Sequence, residues 1–151
     1  MELTPRKINL SVLFKLPSAY LCGVRTTEIN QEICRVSVRH RWINQNPFRS
    51  MYFAVQAMAA ELSAGALVMK YIKESGADIS MLVAESQSSF SKKATGKITF
   101  VCRDGILVKE TIANAVQSGA AQTVWLLSVG TNEDNVVVSE MRFQWTVRLK
   151  A

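Results

Sequence analysis

Residues 46–73, NPFRSMYFAVQAMAAELSAGALVMKYIK, constrain this chain more than any other stretch. Between Arg49 and Lys70 the only charge is Glu61, and the positions one helical turn either side of it are Ala57, Met58, Ala64 and Gly65. Side chains at those offsets share a face of a helix. The run predicts a central helix over about 48–73, roughly 37 Å long at 1.5 Å per residue. A helix that is apolar nearly all round has to be surrounded by protein. An ionised carboxylate taken out of water without a partner costs several kcal/mol. Glu61 is therefore rescued by a partner, turned to solvent, or kept for chemistry.

The rest of the chain supplies strands to do the surrounding. Thr4-Pro5 is a helix start, with Thr as N-cap and Pro in the first turn. Ile8, Val12, Leu13 and Leu16 follow at helical spacing, and Pro17 is read as the end of an N-terminal helix over about 4–16. Residues 24–29 are a weak strand signal and residues 34–42 a strong one. In the second, Cys34, Val36, Val38, His40 and Trp42 alternate with Arg35, Ser37, Arg39 and Arg41. Its arginine face is either a solvated exterior or a phosphate-binding patch. After the long helix come strands at 79–91 and 97–103, then a short amphipathic helix from Ile106 to Val116. The nearly unbroken apolar run TVWLLSV (123–129) reads as a strand covered on both faces. The last strand alternates Val137, Met141, Phe143, Trp145, Val147 and Leu149 with polar residues. This order predicts an α+β fold: an antiparallel sheet of five to six strands wrapped around one long central helix, plus the N-terminal helix.

The totals narrow the function classes. A chain of 151 residues suits one domain, residues 1–151, with one core. Net charge +6 leaves an anionic partner open, but the basic residues form no run of five or more, so no nucleic acid is expected. Three cysteines, Cys22, Cys34 and Cys102, lie far apart in sequence and match neither a disulfide framework nor a zinc spacing, which fits a cytoplasmic protein. Lys15 interrupts the apolar part of the N-terminus, and no clean cleavage site follows. Residues 50–69 have the length of a membrane span, but Gln56, Glu61 and two serines argue against one. One histidine, His40, builds no metal site and reads as a satisfied core side chain. Ser63 has neither a histidine partner nor a nucleophile-elbow glycine pattern. Met51, Met58 and Met69 are core or line an acyl pocket.

The pattern resembles the hotdog fold, and within it the small acyl-CoA thioesterases of the phenylacetate-pathway type, closest to an uncharacterised branch. In that family the segment entering the central helix reads Asn, then His-Gly-Gly, then Asp or Glu nine residues after the His, and often Gly four later. Here Asn46 stands in the Asn position, Tyr52-Phe53-Ala54 replace His-Gly-Gly, Glu61 falls on the acid and Gly65 on the trailing glycine. The resemblance implies an acyl-CoA thioesterase, a hydrolase with Glu61 as general base or nucleophile. Asn46 would hold the water or the substrate carbonyl, and helix N-terminal amides near Tyr52 and Phe53 would polarise that carbonyl. Arg35, Arg39 or Arg49 would receive the phosphates of coenzyme A, which enters as part of the substrate with no separate cofactor or metal. A homodimer, or a dimer of dimers forming a homotetramer, would complete each site. The alternative on the same scaffold is a non-catalytic acyl-CoA or acyl-ligand binding protein; a structural or nucleic-acid-binding role is the third class.

Overall fold

The computed structural model describes residues 2–151. Four helices, α1 (Pro5–Lys15), α2 (Pro17–Leu21), α3 (Phe53–Ser75) and α4 (Gly105–Ser118), accompany six strands: β1 (Arg25–Ile29), β2 (Cys34–Arg39), β3 (Ile79–Phe90), β4 (Lys97–Cys102), β5 (Gln122–Thr131) and β6 (Val137–Leu149). The strands form one sheet in the order β1-β2-β4-β5-β6-β3, and every pairing is antiparallel. Helix α3 packs against β1, β2, β4, β5 and β6, so the sheet wraps the central helix. This is the hotdog arrangement, with its additional N-terminal helix. No helix among the described residues is long and apolar enough to cross a membrane.

Local chemistry sets the boundaries. Thr4 caps α1 by accepting the Lys7 amide at 3.3 Å, and Pro5 occupies its first turn. Pro17 does more than end α1, as its sequence position suggests: it sits in the first turn of α2. The central helix begins at Phe53 rather than near 48, because the preceding residues are held in a loop. Its far end stops at Gly76, whose φ of 69° closes the last turn through a bond to the Lys73 carbonyl. Strand β2 ends at Arg39, three residues before the predicted limit. Asn44, buried, accepts the Arg41 amide and donates to the carbonyls of Cys22 and Arg39, which turns the chain out of the sheet. Trp42, predicted on the apolar face, is consequently 82% exposed. His40 is half-buried, and its Nε2 has no partner among the described residues, unlike the satisfied core histidine expected.

The apolar strands differ from expectation in one respect. In β5, Val124, Leu126 and Ser128 point into the core, while Trp125 and Leu127 face outward and are not covered on both sides. In β6 the inward phase shifts near its start. Val138 and Ser139 are buried and Val137 is exposed, next to a register shift where β5 meets β6. From Met141 onward the predicted alternation holds, with Met141, Phe143, Trp145 and Val147 all buried.

Two cysteines that are distant in sequence become direct neighbours, with Cys34 of β2 paired in register with Cys102 of β4. Both are fully buried, and burial pushes both thiols up to about 12. A thiol is nucleophilic as the thiolate, so both are inert near neutral pH. Thiol titration of the native protein is expected to find one fast-reacting cysteine, Cys22, and three after denaturation.

Candidate functional site

Helix α3 is not equally covered on all sides. Ala54, Ala57, Met58 and Glu61, spaced by three or four residues, form a half-buried stripe, while Val55, Ala59, Ala60, Leu62, Ala64 and Gly65 are buried. Glu61 carries the only charge of that stripe. Its carboxylate has no hydrogen-bond or ion-pair partner among the described residues. One oxygen lies beside Gly65, which the ring of Trp145 also approaches. A Cβ built on Gly65 would sit 3.1 and 3.2 Å from the Trp145 ring and 3.3 Å from Glu61 Oε1. Gly65 is thus a buried packing position that lets a β6 indole close on the helix. Burial raises the Glu61 carboxyl above the ordinary value of 4.5, and no charge contributes to that shift.

The entry to α3 has different chemistry. Asn46 spends its side chain on the loop: Oδ1 accepts the amides of Phe48 at 2.9 Å and Ser50 at 3.2 Å, and Nδ2 donates to the Ser50 hydroxyl and the Met51 carbonyl. This is a turn-building asparagine, and it fixes where the helix starts. Residue Arg49 takes φ = 60° inside that turn. Tyr52 is the N-cap residue but supplies no side-chain cap, and no acidic residue lies in the first turn of α3. The amides of Phe53 and Ala54 donate to no acceptor among the described residues, leaving two free donors at the positive end of a 23-residue helix. The rings of Tyr52 and Phe53 meet edge-on at 5.1 Å, and those of Phe53 and Phe90 at 6.3 Å.

A cleft of about 500 Å³ opens at this entry, with Asn46, Phe48, Tyr52, Phe53, Gln56, Phe90, Lys92 and Lys93 among its walls. Gln56, Lys92 and Lys93 were not singled out in the sequence. Gln56 resembled one more polar interruption of an apolar run, and only the β6 position of Ser139 shows what holds it. Neither Arg35 nor Arg39 is here. Both leave β2 on the outer face of the sheet, where Arg35 bonds Glu28 at 2.7 Å and Arg39 lies 3.7 Å from Glu133. The cations near the entry are Arg49, Lys92 and Lys93. Ser63 is fully buried, bonded to the Ala60 carbonyl and the Ser128 hydroxyl. Among the described residues no cluster of histidine, cysteine, aspartate and glutamate has the form of a metal site.

Residues 6–147 match the family described as a domain of unknown function, DUF4442. The chain belongs to the DUF4442 family. No curated protein matches it. Among solved structures, PA5026 of Pseudomonas aeruginosa, described as a protein of unknown function and probable thioesterase, is similar at 22% identity and a TM-score of 0.81, with 99% of each chain covered. A protein of unknown function from Chlorobaculum tepidum is similar at 13% identity and 0.83, again over 99% of each chain. The thioesterase HI1161 of Haemophilus influenzae is similar at 11% identity and 0.72, covering 99% of this chain and 93% of its own. These likenesses establish that this DUF4442 chain shares their fold.

Two stability tests follow from the site. A carboxyl raised by burial disfavours the folded state once the unfolded chain has ionised. The cost of Glu61 is absent well below pH 4.5 and complete above its elevated folded value. Glu61→Gln is expected to melt higher than wild type at pH 7–8, with the gap closing as pH falls toward 4. Asn46→Ala, which strips two amides of their acceptor, is expected to lose about 2 kcal/mol in denaturant unfolding.

Proposed function

We propose that this chain is a thioester hydrolase acting on acyl-CoA or a similar acyl thioester, with Glu61 as its base. The observation that carries the reading is a single unpartnered carboxylate, raised by burial, on the half-covered stripe of the central helix. Structurally similar proteins named as thioesterases support it. In the proposed step, ionised Glu61 takes a proton from water as the water oxygen bonds to the thioester carbonyl carbon. The carbonyl oxygen becomes an oxyanion, and free amides of the Phe53 and Ala54 kind are suited to receive it. Collapse restores the carbonyl and breaks the carbon–sulfur bond, and the departing thiolate takes up the proton from Glu61. Coenzyme A enters only as the thiol half of the substrate.

One spacing shapes this reading. Eight residues separate Phe53 from Glu61, about 12 Å along a helix axis. One thioester carbonyl would have to lie within hydrogen-bonding distance of the amides and contact distance of the activated water at once. Within a single chain the two groups are too far apart. A second copy supplies the missing half in the proposed homodimer. Strand β3 is an edge of the sheet, and residues 84–90 along it are all exposed. A twelve-residue edge strand with one free side is a ready surface for pairing. The second reading, an acyl-ligand binder without turnover, draws on Phe53 and Ala54, whose side chains occupy space that a glycine pair would leave open.

The test is thiol release from a panel of acyl-CoA thioesters. Wild type is expected to turn over at least one, with the rate rising with pH as Glu61 ionises. Glu61→Gln is expected to lower kcat by about 10²–10⁴-fold. Equal background rates for both proteins on every substrate would overturn hydrolysis, and binding without turnover would select the second reading.

A further inference from the structure

Gln56 is 4% exposed, yet it is one of the walls of the cleft at the start of α3. Its two polar atoms have different fates. The Ser139 hydroxyl donates to Oε1 at 2.9 Å, which pins the amide plane from β6. Nε2 has no acceptor among the described residues and retains access to the cleft. A buried amide NH2 left without an acceptor is costly unless something else accepts from it. One turn earlier on the same helix lie the free amides of Phe53 and Ala54. On the rim, Lys92 and Lys93 have no carboxylate partner among the described residues, and Lys93 Nζ reaches only the Phe48 carbonyl at 3.4 Å. Donors line the floor, cations the rim, and exposed aromatic rings the walls.

We propose that Gln56 is a substrate-recognition residue whose Nε2 donates to an amide carbonyl of the substrate's thiol arm, while Lys92 and Lys93 receive the phosphates at the arm's far end. This rests on the thioester reading and adds to it where the arm is held. The matching ligand has a chain of amide carbonyls ending in an anionic phosphate group, as coenzyme A does. A carrier-bound thiol arm would bring the same carbonyls with less phosphate charge. The cleft has donors for carbonyl oxygens and no carboxylate to repel an anion. No covalent step is involved. Gln56 lies five residues from Glu61 on a helix turning 100° per residue, so it faces a different side and is not a second base.

Coenzyme A and pantetheine test this, because neither is hydrolysed and they differ in the phosphates. The side-chain NH2 signals of Gln56, assigned with ¹⁵N-labelled protein and the Gln56→Met variant, are expected to shift with both. Gln56→Met and Gln56→Glu are expected to weaken binding of both roughly tenfold, the loss of one hydrogen bond. Gln56→Glu keeps an acceptor for Ser139, so it separates loss of the donor from loss of packing. Lys92→Ala combined with Lys93→Ala is expected to weaken coenzyme A and leave pantetheine unchanged. If thioester hydrolysis persists while the Gln56 signals ignore both probes, or both variants bind as wild type does, the assignment of Gln56 is overturned and the hydrolase reading stands. If no thioester is hydrolysed and neither probe binds, both fail together.

Discussion

One contact organises this protein: the ring of Trp145 closing on Gly65, one helical turn after Glu61. A sheet can close on a helix only where the helix is slim, and half of residues 57–66 are alanine, with Gly65 where the Trp145 ring approaches. Trp145 uses that space and is 3% exposed. The indole covers the helix at Gly65, and burial desolvates the acid with no ion pair to offset it. The helix therefore carries an unfavourable charge in a place that packing alone would have filled with an apolar residue. A buried charge that no partner rescues is a reason to look for chemistry.

The helix entry obeys a second constraint, set by the loop before it. Asn46 commits its whole side chain to the amides and carbonyls of residues 48–51. The chain thus arrives at Phe53, beside the cleft, with the first helical amides unsatisfied by a cap. Moving the helix start from 48 to 53 creates that cleft, since five more residues in the helix would fill it. The arginines of β2 lie apart from this cleft, because strand alternation sends them to the opposite face of the sheet from α3.

Much of the architecture was legible in the sequence because it rests on periodicity. The alternation of β2 and β6 and the long apolar run of α3 each fix which side faces the core. Those signals cannot report pairings between distant residues. The Cys34–Cys102 contact, the Ser139–Gln56 bond and the Trp145–Gly65 approach each join segments more than 65 residues apart. The boundary errors have one cause, side-chain-to-backbone bonds from buried or half-buried asparagines. Asn44 ended β2 early and Asn46 delayed α3, and both look like ordinary loop residues in a one-dimensional reading. For the candidate site, the spacing of Asn46, Glu61 and Gly65 pointed to the loop and helix described above. It could not show that Asn46 also builds the turn before the helix, or that Gly65 also admits the Trp145 ring.

The protonation behaviour of Glu61 is the most direct measure of this account. Carbon-13 NMR titration of its side-chain carboxyl, assigned by its disappearance in Glu61→Gln, reads that quantity without reference to any substrate. The account requires a midpoint above 4.5, the ordinary value for a glutamate. A midpoint at or below 4.5 would mean that the carboxylate is solvated or paired, and would contradict the claim that the fold holds an unrescued acid against its central helix.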